Sequence, residues 1–302
     1  MISSLHLLLT YNCTCACDHC FVFSRPRAPG VFTLGQIRAL LAQARQVEGI
    51  TGIYFEGGEP GLYYATLREG VREAKRLGFS VGIVSNGYWA ISDEDAEAWL
   101  RGLQEVGLTS IDISDDDLHF TASLPSPAKR ALVVAERLGL ASSALRRRKP
   151  VAEAASCEET PRIGVGIKYR GRAVEKLAPG LPLTPWERFT ACPYEDLRHP
   201  SRVHIDPYGN VNLCQGLLMG NVWETPLADL IANYQPDTHP ICAPLLAGGP
   251  AALARAFAVA HEDGYVDACH LCYLTRRALR GRFPRELGPG QVYGECSDRV
   301  QA

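Results

Sequence analysis

The sequence predicts an α/β protein, a parallel sheet wrapped by helices, followed by a smaller cysteine-rich α+β unit. Two observations predict it. Short apolar runs alternate with amphipathic stretches as far as Gly139, and Gly78, Gly107 and Gly139 each close a helical pattern. Beyond a proline-rich linker from Pro179 to Pro185, the pattern changes to hairpin-like strands and scattered cysteines. At 302 residues, 46% of them apolar, the chain can bury a full core and accommodate about two domains or a barrel with an appendix.

Leu5 to Tyr11 is a short apolar run and reads as a buried strand feeding a cysteine loop. Pro26 and Pro29-Gly30 mark the loop that follows. Thr33 can cap a helix to about Val47, with Ile37, Leu40, Leu41 and Ala44 on one stripe. Gly52 to Phe55 is the second strand and runs directly into Gly57-Gly58. A second helix covers about Tyr64 to Leu77, and Ser80 to Val84 is a third strand, ending at Ser85-Asn86-Gly87. Ser92 or Asp93 caps a helix to about Val106. Thr109 to Ile113 is a fourth strand, followed by Ser114-Asp115-Asp116-Asp117, and Pro127 to Leu138 is a fourth helix. A fifth strand is expected near Leu138 to Leu145, and the alternating stretch Arg162 to Tyr169 fits a further one. Each polar motif of this half follows a strand, which is where parallel α/β folds place their chemistry.

The most informative stretch is Cys13-Thr14-Cys15-Ala16-Cys17-Asp18-His19-Cys20. Cys13, Cys17 and Cys20 form C-x3-C-x2-C, and three thiolates on a tight loop can hold three corners of a [4Fe–4S] cube. The fourth iron is then open to a non-protein ligand. A zinc site is the competing reading, with Cys15 as fourth ligand. Yet Cys13, Cys15 and Cys17 alternate along an extended loop, which makes a poor tetrahedron, and Cys15 reads as a bystander. Thirty-six positions after Cys20 comes Glu56-Gly57-Gly58-Glu59-Pro60. Together these two motifs resemble the cysteine signature and the GGEP motif of radical S-adenosylmethionine (radical SAM) enzymes, with the resemblance covering about residues 1 to 170.

The resemblance implies a partial (β/α)6 TIM-like barrel over 1–178, followed by a linker, 179–190. It also implies the family's SAM contacts, carried over by motif. His19 stands where an aromatic residue usually leans on adenine. Gly57, Gly58, Glu59 and Pro60 would bind the methionine amino group. Ser85 and Asn86 would meet the methionine carboxylate or ribose, Ser114 and Asp115 the ribose, and Val165 the adenine. Structural alternatives are a salt bridge for Glu59 and a plain turn for Ser85-Asn86. His119 is a possible substrate contact.

In the second half, Arg202 to Ile205 and Val211 to Cys214 read as a hairpin around Asp206-Pro207-Tyr208-Gly209-Asn210. Leu227 to Tyr234, Ala251 to Glu262 and a stretch from Cys269 to about Arg280 read as helices. Cys192, Cys214, Cys269 and Cys272 give C-x21-C-x54-C-x2-C, similar to the SPASM/twitch extension of radical SAM enzymes. This implies an auxiliary [4Fe–4S] cluster in a unit spanning 191–283, before a tail, 284–302. Four cysteines satisfy zinc equally well, and the sixteen residues between Cys192 and Gly209 are slightly more than that pattern usually has. His261 and His270 are spare ligands that read as packing residues. Cys242 is a candidate hydrogen-atom donor to a substrate radical, or a ligand completing an altered cluster, with a plain loop thiol as the alternative; Cys157 and Cys296 read as plain thiols.

The expected activity is reductive cleavage of SAM and hydrogen abstraction, with a reductase or flavodoxin-type electron donor. The substrate is a peptide or protein, to be epimerised or crosslinked, or else a small molecule such as a sugar or aminocyclitol. A non-catalytic iron–sulfur carrier or zinc-stabilised scaffold is the alternative of another class. Charge suggests no nucleic-acid face and no such partner is expected: 31 basic residues balance 33 acidic ones, and the one dense basic run, Arg146 to Lys149, reads as a solvated loop rather than a phosphate tracker. The N-terminus lacks a cationic start, no apolar run is long enough to span a bilayer, and clustered cysteines suit a reducing compartment. A cytoplasmic, oxygen-sensitive protein without membrane contacts is expected.

Overall fold

The computed structural model describes residues 2–120, 126–148 and 166–295. One eight-stranded sheet runs through it. Its strands are β1 (Ser4–Thr10), β2 (Gly52–Gly57), β3 (Ser80–Ser85), β4 (Ser110–Ser114) and β5 (Ala141–Leu145), then β7 (Arg202–Ile205), β8 (Asn210–Cys214) and β9 (Leu217–Asn221). β6 (Thr184–Pro185) pairs with β10 (Gly264–Tyr265) in a separate small ribbon. The order in the main sheet is β5-β4-β3-β2-β1-β7-β8-β9. Its first six strands are parallel, and β8 and β9 add on as antiparallel hairpins. The sheet is open among the described residues, with β5 and β9 at its edges, so the fold is mixed α/β with a partial barrel. The hairpin read from the second half thus continues the main sheet: β7 lies beside β1, with His6 paired to His204.

The helices are α1 (Leu34–Arg45), α2 (Tyr64–Arg76), α3 (Asp93–Gln104), α4 (Pro127–Arg137) and α5 (Ala173–Lys176), followed by α6 (Leu227–Ala232), α7 (Cys242–Ala256) and α8 (Ala268–Leu279). Local chemistry sets their starts. Thr33 and Gln36 form a reciprocal capping box on α1, while Ser92, Ser126 and Asp267 cap α3, α4 and α8. The α1 stripe of Ile37, Leu40, Leu41 and Ala44 is fully buried. It packs in one cluster with Leu5, Leu7 and Leu9 of β1, each worth roughly 1.5–3 kcal/mol on burial. The same cluster includes Leu245, Leu253 and Leu279, so the core is continuous from the parallel sheet into the C-terminal helices.

Two expectations are corrected. The helix read from Ala251 begins at Cys242 and crosses a kink at Gly248 and Gly249; the Gly-Gly-Pro break hid the helical turn before it. The strand read over Arg162 to Tyr169 is not present from Gly166 onward, and its first residues lie outside the described ones. Val165, Cys157 and Cys296 also lie outside. No helix among the described residues is long and apolar enough to cross a membrane.

Candidate active site

A cavity of about 450 Å³ opens at the C-terminal ends of β1 to β4, and Cys13, Cys15, Cys17 and Cys20 all line it. All four thiols are free. One residue makes three of the bonds that hold the loop and the turn after it. Arg172 donates from its backbone N–H to the Cys20 carbonyl (2.9 Å), and from its guanidinium to the carbonyls of Cys17 (2.5 Å) and Ser24 (2.8 Å). N–H groups also point at sulfur: Ser24 at Cys20 Sγ (3.3 Å), Cys15 at Cys13 Sγ (3.4 Å) and the Asn86 amide at Cys13 Sγ (3.8 Å). Such donors favour the thiolate. Cys15 lies among the three motif cysteines on the cavity wall. It hydrogen-bonds to both Cys13 and Cys17, which raises their pKa values and lowers its own.

The second motif sits against this loop by backbone contact. Gly58 N–H donates to the Thr10 carbonyl (2.7 Å) and Glu59 N–H to the Asn12 carbonyl (2.8 Å). Gly57 and Gly58 line the cavity, whereas Glu59 and Pro60 do not. Glu59 is fully buried beneath it. Its carboxylate accepts from the Ser85 hydroxyl (2.9 Å), Gly61 N–H (2.9 Å) and Asn86 N–H (2.8 Å), tying the end of β2 to the end of β3. Burial pushes its pKa up to about 7 against those bonds. Ser85 and Asn86 do line the cavity. Their polar atoms are also engaged in the protein: Ser85 Oγ accepts from Trp89 and Gly87, and the Asn86 amide donates to Thr14 Oγ1 (2.9 Å).

At the end of β4 the expectation shifts by one residue. Strand alternation turns Asp112, Ser114 and Asp116 toward the cavity. Asp115 points away, to Arg146 (3.0 Å) and Ser126 (3.3 Å), so it cannot meet a ligand there. Asp116 pairs with His119 (2.8 Å), whose ring meets His19 edge-on at 4.7 Å. Burial lowers the His19 pKa to about 4, and its Nδ1 has no hydrogen-bond partner among the described residues.

Cys192, Cys214, Cys269 and Cys272 come together around a second, small cavity of about 30 Å³. Burial raises the Cys269 and Cys272 thiols, the latter to about 11. Two buried guanidiniums face these sulfurs. Arg170 donates to Cys214 Sγ at 2.8 Å, and Arg276 reaches the same sulfur at 4.0 Å. The Nε atoms of both arginines lack partners among the described residues. Arg170 and Glu195 line both cavities, so the two cysteine sites share a wall. Arg170 begins the tripeptide Arg170-Gly171-Arg172, which packs against the first cysteine loop and which sequence reading missed. Arg170 also lies over the Phe21 ring (5.0 Å). Gly171 has φ +62°, and a Cβ there would stand 2.5 Å from Phe21 Cα and 2.6 Å from the Cys20 carbonyl oxygen. Cys242 lines neither cavity. It is fully buried in the core with Tyr234 OH 3.5 Å away. A hydrogen-atom donor must touch substrate, so the catalytic expectation for Cys242 does not fit this placement.

The floor of the large cavity holds a further polar group that was not singled out: His6, Glu56 and His204. Glu56 bonds His6 Nδ1 (3.3 Å) and His204 Nδ1 (2.5 Å) through separate oxygens. The available signal was the alternation of β1, in which His6 faces opposite to Leu5 and Leu7.

Residues 7–125 match the family model described as the radical SAM superfamily. Over that stretch the chain is similar to a radical SAM domain. A curated relative, the "Putative peptide biosynthesis protein YydG" of Bacillus subtilis (strain 168), is 28% identical over 111 residues. That match takes in 37% of this chain and 35% of the relative's length. Among solved structures, BtrN in complex with AdoMet and 2-DOIA aligns at a TM-score of 0.48 and 15% identity, over 77% of this chain and 83% of that one. Native anSMEcpe with bound AdoMet aligns at 0.45 and 14%, over 76% and 80%.

The family implies a [4Fe–4S] cluster and SAM, and the residues present fit them. Three free thiols at the motif spacing line one cavity, N–H groups aim at their sulfurs, and the His19 ring keeps an unpartnered buried nitrogen beside them. Cys15 is the residue that separates this radical SAM reading from a four-thiolate zinc site. Cys15→Ala is expected to keep about four irons at the loop after anaerobic reconstitution. Metal analysis of the variant checks this, and loss of all metal there would favour the zinc site.

Proposed function

We propose that the chain cleaves S-adenosylmethionine reductively and abstracts a hydrogen atom from a peptide or protein, for epimerisation or crosslinking. When bound at Cys13, Cys17 and Cys20, the cluster and SAM together supply an electron and a 5′-deoxyadenosyl radical. The protein's own part is to orient, bind and exclude water. Gly57 and Gly58 offer backbone to the methionine amino group at close range. Ser114 and Asp116 border the ribose end, and His19 borders the adenine. Glu59 acts from beneath, holding Gly61, Ser85 and Asn86 in place rather than touching ligand. A reductase or flavodoxin-type donor would deliver the electron.

The observation that carries this reading is that the three motif cysteines and the Gly57-Gly58 turn line one cavity, in the stretch that is similar to a radical SAM domain. An iron–sulfur carrier needs no such turn beside its cluster. A peptide substrate is supported by the relative named for peptide biosynthesis. The polar floor of the cavity favours the second reading, a small polar substrate such as a sugar or aminocyclitol. The experiment is an anaerobic incubation with SAM and dithionite in heavy water, with synthetic peptides and aminocyclitols offered separately. Deuterium in a peptide, or loss of two hydrogens from it, supports peptide modification; change in the aminocyclitol alone overturns it.

We further read Cys192, Cys214, Cys269 and Cys272 as ligands of an auxiliary [4Fe–4S] cluster. A four-thiolate centre carries net negative charge, which the buried Arg170 and Arg276 would balance. The reconstituted enzyme should then hold about eight irons, falling to about four when Cys13, Cys17 and Cys20 are all replaced by alanine. About four irons with one zinc in the unaltered enzyme would instead make the second site structural.

A further inference from the structure

The floor of the large cavity carries a donor set that SAM cleavage does not use. His6, Glu56 and His204 stand on three neighbouring parallel strands, β1, β2 and β7. His6 and His204 are register partners. Glu56 follows by two residues Tyr54, the partner of His6 on its other side. The two-residue period therefore puts all three side chains on one face, and all three line the cavity. One donor atom from each lies within 4.8 Å of the others.

We propose that His6, Glu56 and His204 form a divalent transition-metal site on the cavity floor, a two-imidazole, one-carboxylate set for Mn2+, Fe2+ or Zn2+. The donor types separate it from the cysteine sites. Soft thiolates select iron–sulfur clusters, whereas imidazole and carboxylate suit single divalent ions. The spacing agrees. An ion about 2.1 Å from each donor keeps adjacent donors about 3 Å apart and opposed ones about 4.2 Å apart. His6 Nδ1 is 3.3 Å from one Glu56 oxygen and His204 Nδ1 2.5 Å from the other, so small outward shifts admit the ion. The donors are also held in place. His6 stacks on Tyr54, with centroids 4.7 Å apart and planes at 12°, and Glu56 leads into the Gly57-Gly58 turn seated on β1. With each side chain about one-sixth exposed, the remaining coordination positions face the cavity. There the ion would orient a substrate oxygen.

Mn2+ is the probe, titrated into anaerobically reconstituted enzyme so that the thiolates already hold iron. The expected result is a single Mn2+ per chain by electron paramagnetic resonance, with nitrogen modulation from imidazole in the pulsed spectrum. Binding should weaken at least about tenfold in His204→Ala and in Glu56→Gln, with iron content unchanged. If a variant loses iron, the pulsed spectrum of the unaltered enzyme decides alone. No stoichiometric Mn2+ in that enzyme, Mn2+ without nitrogen modulation, or undiminished binding in both iron-retaining variants would overturn the proposal.

Discussion

Gly58→Ala is expected to lower SAM cleavage by about 100-fold or more. A Cβ at Gly58 would stand 2.1 Å from the Asn12 carbonyl oxygen and 2.7 Å from its carbonyl carbon. No rotamer relieves a clash with backbone, so the turn and the Asn12–Cys13 segment must separate. Asn12 immediately precedes the first motif cysteine, and a displacement of order 1 Å at a reacting centre costs about 10²-fold. The same strain breaks the Glu59 N–H to Asn12 bond. The check is 5′-deoxyadenosine formation in Gly58→Ala beside Gly35→Ala. The added Cβ at Gly35, inside α1, meets only ordinary contact, at 4.0 Å. That control should match the unaltered enzyme in activity and gain up to about 1 kcal/mol of helix stability.

Glu59→Ala is expected to cost about 3–5 kcal/mol of stability. It removes a fully buried carboxylate and orphans the Gly61 N–H, Asn86 N–H and Ser85 hydroxyl at once. Glu59 also gives stability a pH dependence whose sign is fixed. Its pKa in the fold, about 7, lies above the ordinary 4.5. Between those values the folded state binds the proton more tightly than the unfolded chain does. The contribution is fully present below about pH 4.5 and is lost as pH rises through 7. Urea midpoints at pH 5 and pH 8 should therefore differ more for the unaltered enzyme than for Glu59→Gln, which cannot ionise. An equal difference in both would remove Glu59 as the source.

Much of the fold follows from local chemistry and was legible in order. The α1 stripe, the Thr33 and Ser92 caps and the strand-end positions of the motifs all come from short-range patterns. What was hidden depends on pairing between distant segments. Nothing near Arg202 says that β7 docks beside β1, and without that pairing His6 and His204 are unrelated histidines. The face of a residue likewise needs the strand register. A shift of one position exchanges Asp115, which bonds Arg146, for Asp116, which borders the cavity. Glu59 stands in a motif read as ligand-binding, yet the end of β3 claims its carboxylate. Arg170-Gly171-Arg172 carries no motif signal, because its partners Cys20, Phe21 and Cys214 are remote in sequence.

The most direct measurement is 5′-deoxyadenosine produced from SAM and dithionite under anaerobic conditions, by the reconstituted enzyme and by its Cys13→Ala/Cys17→Ala/Cys20→Ala variant. The expected result is SAM-dependent product from the enzyme and none above background from the variant, whose C-terminal cysteines are intact. Product at equal rates from both, or none from an enzyme carrying its full iron at the loop, would contradict SAM cleavage at Cys13, Cys17 and Cys20.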